Sequence, residues 1–265
     1  PPDAGPFIRP DIGVAIPADS GSAPVTLSEP TCNGLLTPDD PAPVEIVNPG
    51  SEHPVVLVCE HAGQAVPTCL GDLGLAPGEI DRHIGWDIGA GAVSRRIAAS
   101  LGSTCVIQRY SRLVIDCNRP PQAPDAMPEI SDGTVVPANR ELGQEARVAR
   151  VEAIFSPYDK ALTACFAQAP RRAAFSIHSF TPVFGGRSRP WDIGLLFRRD
   201  EQTSAALARI LKELDPNLCI GMNEPYQVDD LSDWFVPVHC EARGLPHSLI
   251  EIRNDRIATP QGQQD

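Results

Sequence analysis

Phe175-Ser176-Ile177-His178-Ser179-Phe180-Thr181-Pro182 is the stretch that decides the predicted fold. An apolar segment ends here in a histidine, a serine and a proline, and the flexible pair Gly185-Gly186 follows. This pattern is typical of a buried strand of an α/β sheet that presents one imidazole at its carboxyl end. In open α/β sheets, ligands and catalytic groups gather at that end of the strands.

Two other segments have the same design. Val55-Val56-Leu57-Val58-Cys59 runs directly into Glu60-His61-Ala62-Gly63, and Ser248-Leu249-Ile250 runs into Glu251. Three predicted strand ends therefore present two histidines and a glutamate. Such a set indicates a metal site with an adjacent acid/base group.

Helical and β-rich patterns alternate between these strands. A helix is predicted from Trp86 to Leu101, where Gly102 is suited to cap its carboxyl end. The further predicted strands are Thr104–Gln108 and residues 113–117, 193–197 and 218–222, and the further predicted helices are residues 140–168, with a break at Pro157, and 203–214.

This alternation predicts an α/β fold with three layers, in which helices cover both faces of a mixed, mostly parallel sheet. We expect residues 51–265 to form a single α/β hydrolase domain. Residues 1–50 are rich in Pro, Ala, Ser and Asp and have no sustained period, which predicts an irregular N-terminal arm. Residues 43–48 can form a short edge strand there, but an extended arm is the favoured interpretation.

The composition excludes several classes of partner. The net charge is −12 and no block of Lys or Arg stands out, which argues against nucleic acids and anionic membranes. No run approaches the roughly 20 apolar residues that span a bilayer, and the first residues lack the pattern of a signal peptide. The eight cysteines include no C-x-x-C pair. They predict small buried side chains in a reducing cytoplasm and argue against a zinc–thiolate site.

Two histidines at strand ends are a partial ligand set for zinc. A catalytic zinc takes three His or carboxylate ligands and keeps one position open. Besides His61 and His178, we expect Asp87 to be the third ligand, because it lies at the start of the helix after the His61 strand. Its alternative role is that of a plain N-cap.

Glu60 and His83 are the rival ligands. Glu60 neighbours His61 on an extended segment, where adjacent side chains point in opposite directions. His83 lies four residues before Asp87, but Gly85 argues against a helix that would bring the two together. We therefore rank Asp87 above both and keep Glu60 as the substitute ligand.

Glu251 is the candidate general base. Its neighbours Ile250 and Ile252 would remove it from water, which raises the pKa of a carboxyl group and suits proton transfer. The alternative is a structural ion pair with Arg253 or Arg256.

Asn118 and Arg119 follow a predicted strand and are candidates to bind a substrate carboxylate or to polarise a carbonyl. The planar fork of arginine fits a carboxylate at two points. Arg119 has an alternative role as a loop-to-helix salt bridge. Further cations lie beside the same regions, namely Arg112, Arg187 and Arg189. We assign Arg112, Arg187 and Ser179 to the substrate-binding set as well.

These residues fall into five blocks, which keep their order across about residues 55–255. The blocks are Cys59-Glu60-His61-Ala62-Gly63, Gly85-Trp86-Asp87-Ile88-Gly89-Ala90, Arg112-Leu113-Val114-Ile115-Asp116-Cys117-Asn118-Arg119-Pro120, His178-Ser179-Phe180-Thr181-Pro182 and Glu251-Ile252-Arg253-Asn254-Asp255. Together they resemble the N-formylglutamate amidohydrolase (deformylase) family, whose fold is similar to that of the zinc carboxypeptidases.

The resemblance implies one Zn²⁺ per chain and a role for each matched residue. The implied zinc ligands are His61, Asp87 and His178, the implied base and proton shuttle is Glu251, and the implied substrate contacts are Asn118 and Arg119. One departure concerns the His-x-x-Glu spacing of the carboxypeptidases, since Gln64 lies three residues after His61. The carboxylate ligand must then be Asp87 or Glu60.

The expected function is therefore zinc-dependent hydrolysis of the linear amide bond of an N-formyl or N-acyl amino acid, such as N-formyl-L-glutamate, in the cytoplasm. One alternative is a zinc peptidase or amidase that acts on short or cell-wall peptides. Another is a catalytically silent member that binds an acidic metabolite. The pattern leaves the oligomeric state open.

Overall fold

The structure, a computed structural model, describes residues 34–264. Its strands are β1 (Val44–Val47), β2 (Val55–Cys59), β3 (Thr104–Gln108), β4 (Ile130–Ser131), β5 (Thr134–Val135), β6 (Ala173–Phe180), β7 (Val183–Phe184), β8 (Arg187–Ser188), β9 (Ile193–Leu196), β10 (Ile220–Met222) and β11 (His247–Arg253). Its α-helices are α1 (Ala90–Leu101), α2 (Gln144–Arg150), α3 (Ser156–Gln168), α4 (Glu201–Leu214) and α5 (Asn254–Ile257). Two π-helical segments are Val151–Phe155 and Phe235–Cys240, and short 3-10 turns are Thr68–Leu70, Glu79–Asp81, Pro124–Ala126, Pro137–Asn139 and Glu241–Arg243.

Seven strands form one sheet in the order β1-β3-β2-β6-β11-β9-β10. The central strands β3, β2, β6 and β11 are parallel, β1 and β9 run antiparallel to their central neighbours, and β10 is parallel to β9. The prediction of a mixed, mostly parallel α/β sheet is confirmed. Because β2, β6 and β11 run in one direction, their carboxyl ends meet at the same edge of the sheet.

The side chains of β2 show why helices cover both faces. Val56 and Val58 belong to the core on the side of α3, whereas Leu57 and Cys59 belong to the core on the side of α1 and α5. A strand buried on both faces has no polar side, which explains its continuous apolar run.

The predicted strand at residues 113–117 is wrong. The segment is buried, but it forms turns that pair with no strand. Its backbone is satisfied locally, since the Leu113 N–H donates to Ser111 Oγ and the Asp116 N–H donates to the carbonyl of Ala126. A short apolar run identifies burial, but it does not distinguish a strand from a buried turn.

The favoured interpretation of residues 43–48 as an extended arm is wrong for Val44–Val47. These residues form β1, the antiparallel edge strand beside β3. Arg95 of α1 also donates two hydrogen bonds to the carboxylate of Glu45 in this strand, at 2.8 and 2.7 Å. Residues 1–33 of the predicted arm lie outside the described residues, and the predicted domain boundary stays a prediction.

The predicted helices differ from the observed ones at their starts. The helix predicted from Trp86 begins at Ala90 and ends before Gly102, whose left-handed backbone caps it as expected. The predicted break at Pro157 is wrong, because α2, the π-helical segment Val151–Phe155 and α3 follow one another without interruption. Pro157 lies just after the junction of the π-helical segment with α3.

In the part of the chain that the structure describes, no helix is both long and apolar enough to cross a membrane.

Candidate metal centre and active site

His61, Asp87 and His178 form a buried cluster at the carboxyl edge of the sheet. One potential ligand atom of each lies within 4.8 Å of the others. Asp87 Oδ2 is 3.0 Å from His178 Nδ1 and 3.5 Å from His61 Nδ1. Each of the three residues is only 3 % exposed. The Nδ1 atoms of both histidines therefore face one carboxylate oxygen.

Backbone contacts hold Asp87 in place. Its N–H donates to the carbonyl of His61 at 2.8 Å, and its Oδ2 accepts a hydrogen bond from the Ser179 N–H at 3.1 Å. The turn before it is tight, because a Cβ on Gly85 would lie 2.1 Å from the carbonyl oxygen of Ile80. Asp87 thus lies in a fixed turn before α1. Its side chain contacts His61 and His178 and does not cap the helix.

A carboxylate lies behind each histidine. Asp116 Oδ1 is 2.6 Å from His61 Nε2, and Glu60 Oε2 is 3.1 Å from His178 Nε2. Glu60 also accepts a hydrogen bond from Ser176 Oγ at 2.6 Å. Histidines that bind metals through one ring nitrogen commonly direct the other at a carboxylate. Glu60 lies on the far side of His178, outside the cluster.

The pKa shifts show that the electrostatic environment of this site favours positive charge. Burial alone would raise the pKa of Asp87, but the charge of His61 and the hydrogen bond to His178 hold it well below its usual value. The charges of His61 and Arg112 do the same to the pKa of buried Asp116. Burial would lower the pKa of His178, yet its hydrogen bonds to Asp87 and Glu60 raise it well above the usual value.

These residues fit a divalent metal ion. His61 Nδ1 is buried and has no hydrogen-bond partner, although it faces Asp87. Two imidazole nitrogens and one carboxylate are a donor set that catalytic zinc uses. When both histidines are neutral, as metal ligands are, the carboxylates of Glu60, Asp87 and Asp116 outnumber the charge of Arg112, so a cation would balance them.

Glu251 lies next to this cluster. It is paired in register with His178 on the neighbouring parallel strand, so both side chains leave the sheet at the same level. It is 6 % exposed, and its Oε2 has no hydrogen-bond partner. Burial raises the pKa of Glu251 to about 7, and the charge of His178 opposes this effect only in part. A carboxyl group with such a pKa can accept and return a proton near neutral pH.

A cavity of about 490 Å³ opens onto the cluster. The predicted site residues that line it are His61, Asp87, Arg112, Asn118, Arg119, His178, Ser179 and Glu251. The structure leaves Glu60 and Arg187 outside this lining. Glu60 lies behind His178, and Arg187 is exposed on β8 of a short hairpin.

The two predicted arginines in the lining are already paired with acids. Arg112 Nη2 is 2.8 Å from Asp116 Oδ2, and its Nη1 is 3.3 Å from Asp87 Oδ1. Arg119 Nη1 is 2.7 Å from Asp125 Oδ2. Arg112 therefore bridges two carboxylates, that of Asp87 in the cluster and that of Asp116 behind His61.

Asn118 makes its side-chain contacts with one loop. Its Oδ1 accepts hydrogen bonds from the N–H groups of Trp234 and Phe235, and its Nδ2 donates to Asp233 at 3.2 Å. These bonds position the residues before the π-helical segment Phe235–Cys240 against the cavity.

His83 lies in the same lining but not in the cluster. Its Nε2 is 3.2 Å from Asp132 Oδ2, and its ring stands edge-on to Phe184. His83 therefore contacts Asp132 and Phe184, and it is not part of the cluster that contains Asp87.

Sequence reasoning missed several residues of the lining. They are Asp116, Asp125, Asp132, Phe184, Tyr226 and Asp233. Asp116 had a signal, because an acid between Ile115 and Cys117 is as isolated among apolar neighbours as Glu251. The other residues lie in loops and short hairpins, where no periodicity marks them.

The family model of N-formylglutamate amidohydrolase matches residues 53–258. This chain belongs to that family. The resemblance to this family is confirmed, and with it the prediction of a hydrolase that acts on an amide bond. This family acts on a small-molecule substrate, as the resemblance implied.

The solved structures that are similar to this one include the following two. The gene product Atu2144 from Agrobacterium tumefaciens is 37% identical, with a TM-score of 0.81 over 86% of this chain and 92% of that chain. The N-formylglutamate amidohydrolase from Ralstonia eutropha JMP134 is 19% identical, with a TM-score of 0.62 over 84% of this chain and 92% of that chain. The second likeness shows the fold alone. No curated protein matches this chain.

Proposed function

We propose that this member of the N-formylglutamate amidohydrolase family is a zinc-dependent enzyme that cleaves the linear amide bond of an N-formyl or other N-acyl amino acid, with N-formyl-L-glutamate as the first candidate. The observation that carries the proposal is the position of Glu251. Its buried carboxyl group has an unpaired oxygen and shares a cavity with a cluster that fits a metal. A proton acceptor beside a metal is what hydrolysis of an amide requires.

His61, Asp87 and His178 would hold one zinc ion per chain. Glu60 is the less suitable carboxylate, because it lies behind His178 and already accepts a hydrogen bond from Ser176. When bound, zinc would supply the Lewis acidity that makes water nucleophilic near neutral pH and polarises the amide carbonyl.

Glu251 would carry the proton through the reaction. It accepts the proton of the attacking water while the new C–O bond forms at the acyl carbon. It then gives this proton to the amide nitrogen as the C–N bond breaks, so that the amine leaves uncharged. Its pKa of about 7 makes both transfers accessible at one pH.

The remaining lining residues would bind and orient the substrate. Arg119 and Arg112 lie beside the cluster and would face the oxygen that becomes negative during the attack. Ser179 donates its Oγ–H to the carbonyl of Ile88, so it shapes the wall next to Asp87. Asn118 would contribute to substrate binding indirectly, because its hydrogen bond to Asp233 holds that loop in position beside the cavity.

We also propose a cytoplasmic location. Its support is a set of buried free thiols, Cys59, Cys105, Cys117, Cys165 and Cys240, which suit a reducing compartment. Fractionation of cells that express the tagged natural protein would test this, and recovery in an extracellular fraction would contradict it.

Glu251→Gln tests the proposed mechanism, with Asp233→Asn as the matched control because both acids line the same cavity. Zinc content and the hydrolysis of N-formyl-L-glutamate are measured for each protein. Glu251→Gln should keep its zinc and lose turnover by roughly 100-fold or more, since general base catalysis contributes about 10²–10⁴-fold. Asp233→Asn should keep both zinc and most of the turnover, because the Oδ1 of an asparagine can still accept the hydrogen bond from Asn118 Nδ2.

Three outcomes would change the proposal. Turnover near the wild-type level in Glu251→Gln would overturn the role of Glu251. Hydrolysis of short peptides but not of formyl or acyl amino acids would replace the substrate class with that of a peptidase. A folded, zinc-loaded wild type without any hydrolysis would leave a protein that binds acidic metabolites.

A further inference from the structure

Arg189 lies in a cage of aromatic rings beside the cavity. Its Cζ is 4.6 Å from the ring centre of Phe184, 4.9 Å from that of Tyr226 and 5.9 Å from that of Phe180. The residue is only 9 % exposed. Its backbone N–H donates to the carbonyl of Pro182. The motif that follows His178 thus builds part of a cage around a cation.

No carboxylate among residues 34–264 forms an ion pair with Arg189, in contrast to Arg112 and Arg119. The aromatic faces stabilise the guanidinium but do not neutralise it. Arg189 therefore keeps a positive charge that an anionic ligand can use.

This charge reaches the cavity through Tyr226. Arg189 Nη1 donates a hydrogen bond to Tyr226 Oη at 3.0 Å, so the hydrogen of the tyrosine hydroxyl must point elsewhere. Tyr226 lines the cavity, whereas Arg189 lies behind it. A hydroxyl that accepts a bond from a cation becomes a stronger donor. Burial and the charge of Glu251 raise the pKa of Tyr226, so the hydroxyl keeps its hydrogen at neutral pH.

The chain brings Tyr226 close to Glu251 through a contact at Gly194. Gly194 is the register partner of Glu251 on β9. A Cβ on Gly194 would lie 3.3 Å from Glu251 Cβ and 1.9 Å from the carbonyl oxygen of Glu224. The backbone two residues before Tyr226 therefore crosses directly beside the proposed base.

Tyr226 lies at the mouth of the cavity rather than at its floor. It is 43 % exposed, whereas the residues of the cluster are 3 % exposed. A ligand whose acyl carbon reaches the cluster would place its amino-acid part toward the mouth. The group of an amino acid that needs a cation-backed donor is a carboxylate.

We propose that Tyr226 binds a carboxylate of the substrate amino acid and that Arg189 is its positioning residue. The proposal rests on the proposed function, because it assumes an N-acyl amino acid in this cavity. Arg189 takes the role that the sequence suggested for Arg187. Tyr226 selects acidic N-acyl amino acids by donating its hydroxyl hydrogen to the carboxylate, and the nearby charge of Arg189 compensates the negative charge.

Steady-state kinetics on three substrates test this assignment. The substrates are N-formyl-L-glutamate and its two monoamides, each of which lacks one carboxylate. Tyr226→Phe should raise the KM for N-formyl-L-glutamate by roughly 10- to 100-fold, as expected for a lost hydrogen bond to a charged group. Its kcat should stay within about threefold of wild type. The KM for the monoamide that lacks the bound carboxylate should rise by less, about two- to tenfold, because a neutral carboxamide oxygen accepts a weaker hydrogen bond than a carboxylate.

Variants of Arg189 separate positioning from folding. Arg189→Met should raise the same KM, and Arg189→Lys should restore part of the affinity because it keeps the charge in the cage. The double variant Arg189→Met with Tyr226→Phe should raise the KM by less than the product of the two single effects, since Arg189 acts in part through the hydroxyl of Tyr226. Equal KM changes on all three substrates, or additive effects in the double variant, would overturn the proposal.

Calorimetry separates this proposal from the proposed function. The binding of N-formyl-L-glutamate is measured on two zinc-loaded proteins that both carry Glu251→Gln, one with Tyr226 and one with Tyr226→Phe, so that the compound is not consumed. If the wild type does not hydrolyse the compound but the protein with Tyr226 binds it at least tenfold more tightly than the protein with Tyr226→Phe, the proposed function fails and the carboxylate site stands. If the wild type hydrolyses it and the two Glu251→Gln proteins bind it equally, the proposed function stands and the carboxylate site fails.

Discussion

The cavity has two walls. The strand-end wall is made of His61, His178 and Glu251 at the ends of strands, together with Asp87 from the turn before α1, and the loop wall is made of His83, Asp132, Phe184 and Tyr226. In the strand-end wall every side chain is buried and its pKa is perturbed, because the sheet holds it among other charges. In the loop wall Phe184 and Tyr226 are each 43 % exposed, and Phe184 lies on the two-residue strand β7 whereas Tyr226 lies in a loop. The difference teaches that the proposed chemistry is built on the rigid sheet, whereas selection of the substrate is built on loops.

The strongest test of this division exchanges one histidine in each wall for alanine. His178→Ala should reduce the zinc content from about one ion per chain to near zero, because it removes one of three ligands. His83→Ala should keep the zinc, since His83 pairs with Asp132 outside the cluster. Elemental analysis of both purified variants measures this. Loss of zinc in His83→Ala would place the metal in the loop wall, and full zinc in His178→Ala would remove it from the cluster.

Glu251 provides a test of how strongly the strand-end wall is desolvated. Burial raises its pKa from 4.5 to about 7, so the folded protein retains a proton that the unfolded chain releases. The contribution of this group to stability is therefore lost as the pH rises from 4.5 to 7. In the metal-free protein, Glu251→Gln should be more stable than wild type by about 3 kcal/mol at pH 8 and equally stable at pH 4.5.

Urea unfolding of both metal-free proteins across this pH range measures the difference. A stability difference that stays constant with pH would show that Glu251 is not desolvated in solution. Such a result would make the strand-end wall as accessible to water as the loop wall.

Gly194 is the point at which the two walls meet. Gly194→Ala should destabilise the protein by about 2 kcal/mol, because its Cβ would overlap the backbone at Glu224. It should also raise the KM for N-formyl-L-glutamate by displacing Tyr226. Gly143→Ala is the matched control, since Gly143 has an ordinary φ of −64° and nothing lies within 4 Å of its Cβ position. Thermal unfolding and kinetics of both variants measure the effect, and equal stability of the two would contradict the close contact.

The division between the walls also explains what the sequence can predict. His178 and Glu251 each interrupt or end an apolar run, and parallel strands must bring such residues to one edge of the sheet. Alternation along an extended segment favours Asp87 over Glu60, and in the structure Glu60 does lie behind His178. For these residues the local sequence pattern is enough to predict where the side chain lies.

The positions of the residues in the loop wall cannot be predicted from the sequence pattern around each of them. Tyr226 reaches the cavity only because the backbone at Glu224 passes over Gly194, a contact between residues far apart in the chain. The error at residues 113–117 has the same origin, since the segment is buried by packing and its turns are stabilised by Ser111 and Ala126. Pattern reasoning identifies burial and periodicity, but it does not identify contacts between loops.

The smallest expected effect concerns the carboxylates that lie beside a histidine in each wall. Asp116 is 2.6 Å from His61 Nε2, and Asp132 is 3.2 Å from His83 Nε2. Asp116→Asn should weaken zinc binding by roughly tenfold. This is the lower end of the range for residues that hydrogen-bond to a metal-binding histidine, because Arg112 and Asp87 still surround the site. Asp132→Asn should leave the affinity unchanged. Competition with a chelator measures both, and equal affinities in the two variants would mean that the carboxylate behind His61 only fills space rather than orienting a ligand.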